Sequence, residues 1–157
     1  MRKKLQLLSL VLTVFGFSAI NAQTIYSENF NGTNALANFT LINNDGATPQ
    51  AGYSFFTDAW IILTDVDSVG TMDSVAASTS WYTPADTADD YLITPQITLT
   101  NDNVFSFDAR ASDANFPDGY EVLISTTTPD IVGLSANPPL LTVPAENGFW
   151  TRRTVDL

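Results

Sequence analysis

The sequence predicts an all-β protein, built as an antiparallel β-sandwich or jelly roll. Its apolar residues occur in short alternating runs separated by Asn, Asp, Gly, Pro and Ser, a pattern typical of strands joined by turns. After the first 22 residues, no stretch has the periodicity of an amphipathic helix of useful length. Many short strands without helices favour two packed antiparallel sheets.

The first 22 residues predict a secretory signal peptide. A basic start, "MRKK", is followed by an apolar stretch that ends at a small residue, Ala22. Residues 23–157 then form the exported chain, which is long enough for one domain with its own core. No later stretch has the length of a membrane span, so we expect no membrane insertion of the mature chain.

Eight segments of the exported chain are candidate strands. They are 24–30, 38–43, 59–64, 90–100, 104–110, 119–126, 139–143 and 149–157. The alternation in 104–110 places Phe105, Phe107 and Ala109 on one face of its strand. Pro95 interrupts the segment 90–100, so we expect two short strand pieces that meet at a bend or a sheet edge.

The composition excludes several classes of function. The formal net charge is −11, and removal of the signal peptide takes Arg2, Lys3 and Lys4, which leaves three arginines against 17 acidic residues. Such a chain has no patch of basic residues that could bind nucleic acid or an anionic membrane. It contains no cysteine and no histidine, which excludes disulfides, Ser-His-Asp and Cys-His catalysis, and the usual zinc sites.

The acidic pair Asp89 and Asp90 is the candidate pair for glycoside cleavage by two carboxylates. Adjacent strand residues point to opposite faces, so this pair cannot flank one glycosidic bond. Asp90 is instead a candidate oxygen ligand for a cation. Loop-borne Asp residues in an exported protein suggest Ca²⁺, although a solvated acidic surface needs no ligand.

Aromatic residues are the second candidate for ligand binding. Trp60, Trp81 and Tyr82, with Tyr91 near them in sequence, can present flat surfaces on which a sugar ring stacks, and Asp and Asn acceptors are nearby. The alternative is that these rings form the sandwich core. Trp81 and Tyr82 are neighbours, so on a strand one points inward and the other outward, and the outward one is the better candidate for ligand contact.

Seven stretches in order along the chain carry a family resemblance. They are "YSENFNG", "FTLINNDG", "AW" at Ala59 and Trp60, "STSWYTP", "DDYLITPQITL", "FSFDARASDANFPDGYEVLIS" and "FWTRRTVDL". Together they resemble the cleaved adhesin and choice-of-anchor J domains of secreted Bacteroidetes proteins, and are similar to the adhesin modules attached to gingipain proteases. The resemblance covers essentially all of the exported chain.

This resemblance implies a jelly roll of the galactose-binding-like or MAM-like type, with structural Ca²⁺ and no catalysis of its own. By position it implies Glu28, Asn43 and Asp45 as metal ligands, with Asp113 as a further candidate. The family's aspartate-rich turn is replaced by "NNDGATP", in which Asn43 stands for the first carboxylate. The alternative is an ordinary hairpin turn beside a solvated loop acid. The family's closing strands are absent after "TVDL", so we expect a domain truncated at its C-terminal end.

The expected function is a non-catalytic adhesion or binding module, secreted by the type IX route or held at the cell surface. Its expected partner is a glycan or a host or matrix protein, and neighbouring domains of a longer polypeptide are expected beside it. A structural spacer domain beside a protease or another enzyme is the alternative, and a glycoside-active enzyme is the less favoured one. The Asp-Ser and Asp-Thr pairs also resemble Bacteroidetes O-glycosylation acceptors, at Ser68, Ser74 and Thr87, although such pairs are also common in turns.

Overall fold

A computed structural model describes residues 23–32, 34–65, 73–100 and 103–157. The predicted signal peptide, 1–22, lies outside these residues. The described strands are β1 (Thr40–Asn43), β2 (Ile61–Thr64), β3 (Ser74–Ala77), β4 (Asp90–Ile93), β5 (Val104–Ala109), β6 (Tyr120–Val122), β7 (Leu141–Val143) and β8 (Thr151–Asp156). A 3₁₀ turn spans Ala51–Tyr53, and a single-turn helix, α1, spans Ile131–Leu134.

The strands form antiparallel pairs: β1 with β4, β2 with β3, β5 with β8, and β6 with β7. Three of these pairings join segments distant in sequence, so the fold depends on contacts that local propensity does not specify. The predicted all-β class is confirmed. The merging of the pairs into the two sheets of a jelly roll stays a prediction.

The pair β5–β8 has the alternation that the sequence predicts. Phe105 and Phe107 lie half-buried while their neighbours along β5 are exposed, and their rings stack with centroids 5.2 Å apart. Val155 of β8 is buried opposite Phe105. The Phe107 ring also meets Tyr120 edge-on at 5.8 Å, which packs this pair against β6.

Two predicted strands are wrong. The segment 24–30 forms no strand, because its backbone is engaged locally: the Glu28 carboxylate accepts a hydrogen bond from the Phe30 N–H, and the Asn29 side chain accepts one from Asn31. Phe30 also has φ 59°, outside the extended region. The piece 96–100, which follows Pro95, likewise forms no strand and is largely exposed.

Strand β3 and helix α1 were not anticipated. The β3 sequence, "SVAA", has small residues and weak alternation, and it becomes a strand by pairing with the apolar β2. Asp130 immediately precedes helix α1, and its carboxylate accepts a hydrogen bond from the Gly133 N–H at 2.8 Å and so caps the turn. At four residues it does not alter the all-β class.

The buried apolar residues of the described chain are small in number and lie in several elements. They are Ala35, Ala59, Tyr82, Leu134, Val143 and Val155. Many large apolar side chains are exposed instead, among them Trp81, Phe116 and Phe149. In the described residues, no helix is long and apolar enough to cross a membrane.

Candidate functional site

A groove of about 640 Å³ opens on the surface between three segments of the chain. Its lining residues lie within 53–56, 78–81 and 112–118. We call it the aromatic groove, because Tyr53, Phe56, Trp81 and Phe116 are all among its lining residues. Its volume falls in the range of about 300–1,000 Å³ that is usual for small-ligand sites.

The aromatic rings of the groove are strongly exposed. Trp81 is 57% exposed and Phe116 is 79% exposed. Tyr53 packs against Trp81 with ring centroids 5.0 Å apart and an interplanar angle of 43°. Large exposed rings gathered in one depression are uncommon on a soluble domain and typically mark a contact surface.

Backbone hydrogen bonds fix the Trp81 segment beside the 3₁₀ turn. The Gln50 N–H donates to the Trp81 carbonyl at 2.8 Å, and the Thr83 N–H donates to the Thr48 carbonyl at 3.0 Å. These bonds flank the isolated bridge between Pro49 and Tyr82. The 3₁₀ turn therefore places Tyr53 against Trp81, and the pairing fixes which of Trp81 and Tyr82 faces outward.

The third wall of the groove is the loop before β6. The Asp113 carboxylate accepts a hydrogen bond from the Asn115 N–H at 2.8 Å, which shapes the turn that presents Phe116. The Ser80 hydroxyl donates to Asp118 Oδ1 at 2.6 Å and ties this loop to the Trp81 segment. Asp113, Asp118 and several Ser and Thr hydroxyls thus form the polar part of the lining.

A carboxylate cluster lies behind the Trp81 segment. Asn43 of β1 stands opposite Asp90 of β4 in the strand register. The Tyr82 hydroxyl donates to Asp90 Oδ2 at 3.1 Å and lies 3.5 Å from Asp45 Oδ2. Asp45 Oδ2 also accepts from the Asp89 N–H at 2.6 Å. The structure therefore brings together three of the five predicted metal ligands: Asn43, Asp45 and Asp90.

Asp90 is the electrostatically unusual member of the cluster. Its Oδ2 also accepts from the Ser78 hydroxyl at 3.0 Å, whereas its Oδ1 is buried without a hydrogen-bond partner among the described residues. Burial raises the pKa of Asp90, the hydrogen bonds from Ser78 and Tyr82 oppose this, and the charges of Asp45 and Asp89 add to the rise. Burial, together with the neighbouring Asp90, likewise raises the pKa of Tyr82.

The other two predicted metal ligands lie in different surroundings. Glu28 is exposed and bonds to the Phe30 N–H, and Asp113 is exposed in the aromatic groove. In the cluster itself, Asn43 Oδ1 accepts from the Gly46 N–H at 2.6 Å, where Gly46 has φ 61° as a tight turn requires. Among the described residues, no group of three or more Asp or Glu side chains has an arrangement that could hold a metal ion.

The three predicted ligand-binding aromatics differ in exposure. Trp81 is the outward member of its pair, and Tyr82 is 6% exposed. Trp60 is half-buried, and its Nε1 is buried with no partner among the described residues. Only Trp81 of the three lines the aromatic groove, so it is the member with access to a ligand.

The sequence reasoning missed Tyr53, Phe116 and Asp118 as candidate site residues. The clusters "GYSFF" and "ANFPDGY" place aromatic rings beside turn residues, which was the available signal. Exposure of apolar rings is a property of the tertiary fold, however, and alternation alone predicts burial for them.

The predicted O-glycosylation positions differ in accessibility. Ser68 lies outside the described residues. Ser74 lies half-buried in β3, and its backbone N–H donates to the Asn31 side chain. Thr87 is exposed in the loop before β4. Modification at all three stays a prediction, which an intact-mass measurement of the protein from its native host checks.

Comparison with known protein families gives a direct match. The Cleaved Adhesin Domain family matches residues 22–136, which is more than half of the chain and includes the groove and the carboxylate cluster. Comparisons with curated proteins and with solved structures gave no match. The family indicates an adhesion-type module with an extracellular or cell-surface location, and its domains are in general non-catalytic. The chain therefore belongs to the Cleaved Adhesin Domain family.

Proposed function

We propose that this protein is a non-catalytic adhesion module that binds an extracellular ligand through the aromatic groove. The observation that supports this most directly is the exposure of Trp81 and Phe116 within one groove of a cleaved adhesin domain. Contact of such large apolar rings with water is unfavourable. A ligand that covers the rings would remove this surface from water, and the gain would favour binding. The module is exported to the cell surface or beyond it, beside other domains of a longer polypeptide, and its ligand is a glycan or a matrix protein.

We also propose that Ca²⁺ stabilises the module at the carboxylate cluster. Supporting this, Asp90 Oδ1 is a buried oxygen without a partner among the described residues, and Asp45 and Asp89 add negative charge beside it. Asp45 and Asp90 would supply carboxylate oxygens and Asn43 an amide oxygen, which are donors that Ca²⁺ prefers. A bound cation would offset the repulsion within the cluster.

The binding proposal is tested by measuring adhesion of the purified protein to arrays of glycans and of extracellular matrix proteins. We expect saturable binding to one of these surfaces, and we expect Trp81→Ala to lower it about tenfold or more, because its ring is a large part of the exposed apolar surface. Phe149→Ala is the control: this ring is 69% exposed but lies outside the groove lining.

Two results would overturn the proposal. The first is absence of binding to every glycan and matrix protein, with the variants and the unaltered protein equally folded, which favours a structural spacer. The second is release of free sugar from a glycan by the purified protein, abolished by a single Asp→Asn substitution, which would make the protein an enzyme.

A further inference from the structure

We infer that the aromatic groove takes a neutral, hydroxyl-rich sugar chain and rejects acidic sugars. This inference rests on the proposed binding function and names the ligand class of the same site. It depends on three features of the groove: its exposed rings, the kind of polar atoms in its lining, and its charge.

The rings supply a stacking surface for the apolar face of a sugar ring. Trp81 and Phe116 are both more than half exposed, and Tyr53 supports Trp81 at a centroid separation of 5.0 Å. Sugar rings present C–H groups on one face and hydroxyls at the edges. A broad aromatic surface therefore holds the ring, while polar groups at the border of the groove bind its hydroxyls.

The polar side chains of the lining include two carboxylates, which when ionised only accept hydrogen bonds. Within the described residues, Asp113 and Asp118 make their side-chain hydrogen bonds through Oδ1, so Oδ2 of each carboxylate remains to accept from a ligand. The Ser and Thr hydroxyls of the lining both donate and accept. A ligand that matches such a lining must bring many donors, and a polyhydroxylated sugar does so.

The charge of the groove determines which sugars fit. Among the described residues that line the groove, two are carboxylates and none is Lys, Arg or His, and the whole chain carries a formal charge of −11. A sialic acid carboxylate or a sulfate ester in the groove would meet repulsion, which no cationic side chain among the described lining residues offsets. A basic peptide would satisfy the charge, but the hydroxyl-rich lining and the solvent-exposed rings favour the sugar.

The test is a glycan array in which neutral chains are paired with sialylated or sulfated versions of the same chains. We expect neutral members to bind at least tenfold more strongly than their acidic partners. Trp81→Ala and Phe116→Ala should each lower binding about tenfold, and Phe149→Ala should not change it. Asp118→Asn should weaken neutral binding and narrow the gap to the acidic chains, whereas the exposed loop variant Asp86→Asn should do neither.

Equal or stronger binding of acidic chains would overturn the inference, as would neutral binding that survives in both Trp81→Ala and Phe116→Ala. Binding only to matrix proteins or to basic peptides would also overturn it, while leaving the adhesion proposal standing. Thermal unfolding of each variant shows whether it is folded. Because the substituted side chains are exposed, a loss of binding with an unchanged melting temperature reports on the groove itself.

Discussion

Glu146 is the buried charged side chain of the described residues, and its partners hold it ionised. Arg153 donates to both of its carboxylate oxygens, at 2.7 and 3.1 Å, and the Tyr120 hydroxyl donates at 2.6 Å. The hydrogen bonds from Arg153 lower the pKa of Glu146 to about 2. Burial and the bond to Glu146 raise the pKa of Tyr120 to about 12. These contacts join β6 to β8 through side chains.

Replacing Glu146 with Gln should therefore destabilise the fold. The free energy of unfolding should fall by about 2–3 kcal/mol, since Arg153 and Tyr120 lose a charged acceptor. Urea unfolding at neutral pH measures the change. Glu121→Gln is the control, because Glu121 is exposed and makes one long hydrogen bond, of 3.4 Å, with Thr142. An equal loss in both variants would contradict the special role of Glu146.

The same contact predicts a pH dependence of defined sign. The pKa of Glu146 is lowered in the folded state from 4.5 to about 2, so its contribution is fully present above its unfolded value and is lost as the pH falls through its folded value. The stability difference between the unaltered protein and Glu146→Gln should shrink as the pH falls from about 5 to about 2. A difference that stays constant over this range would rule out the linkage.

Asp90 should behave in the opposite way. Its pKa is raised in the folded state, so it favours folding only while protonated, and that contribution is lost as the pH rises through the folded pKa. At neutral pH the ionised carboxylate is a cost to folding. In chelator, Asp90→Asn should therefore unfold at a higher urea concentration than the unaltered protein.

Ca²⁺ should reverse the order of stability, so that the unaltered protein becomes more stable than Asp90→Asn. At a concentration 100 times its Kd, Ca²⁺ should stabilise the unaltered protein by about 2.7 kcal/mol and have little effect on Asp90→Asn. Asp86→Asn, in an exposed loop, should follow the unaltered protein in both buffers. A melting temperature that is the same in Ca²⁺ and in chelator would show that Ca²⁺ does not stabilise the folded protein.

At the scale of elements, the segment 78–82 connects the two candidate sites. Ser78 lines the groove and also donates to Asp90, while Trp81 faces the groove and its neighbour Tyr82 faces the cluster. One short extended segment therefore has a ligand-facing side and a carboxylate-facing side. The shape of the groove therefore depends on how the surrounding elements pack, including the loop of residues 112–118 before β6.

Gly119, which immediately precedes β6, tests this dependence. A Cβ at this position would lie 2.6 Å from the carbonyl oxygens of Val143 and Pro144, both of which are backbone atoms. Gly119→Ala should therefore lower the free energy of unfolding by about 1–3 kcal/mol through overpacking, and it should weaken ligand binding by displacing Asp118. Chemical denaturation and the array measure these two effects.

Gly32→Ala is the matched control, because its Cβ would meet its nearest neighbour at 3.9 Å, an ordinary contact. It should leave both stability and binding close to those of the unaltered protein. Equal effects of the two substitutions would show that the close approach of Gly119 to the carbonyls of Val143 and Pro144 does not constrain the fold.

At the scale of the whole molecule, the excess of acidic residues opposes compaction. Residues 23–157 carry three arginines against 17 acidic residues, and this negative charge on one small domain produces repulsion throughout the folded surface. Ion pairs such as Arg152 with Asp108, joined at 2.7 Å on the exposed face of β5–β8, offset little of it.

Salt should therefore stabilise this protein. Between about 20 and 200 mM NaCl the melting temperature in chelator should rise, because screening shortens the range of the repulsion. At about pH 4, where many carboxylates are protonated, the rise should be smaller. A melting temperature that falls with salt at neutral pH would show that ion pairs outweigh the net charge.

The sequence by itself determined the all-β class, the family and the alternation of β5, because these follow from local residue order. Phe105 and Phe107 lie on the same face of β5 whichever strand pairs with it, because alternate side chains of a strand point the same way. It also anticipated that one of Trp81 and Tyr82 would face outward, although not which one. The strand predicted at 24–30 is wrong because local side-chain hydrogen bonds replace strand pairing there.

Only the tertiary structure decided where the site lies. Strand β3 exists because β2 pairs with it, and the groove exists because residues 53–56, 78–81 and 112–118 meet in space. The local hydrophobic pattern predicts neither β3 nor the groove, since strand pairing and exposure depend on contacts between segments far apart in sequence. The meeting of Asn43, Asp45 and Asp90 has the same origin: antiparallel pairing of β1 with β4 places Asn43 opposite Asp90 across 47 residues of sequence.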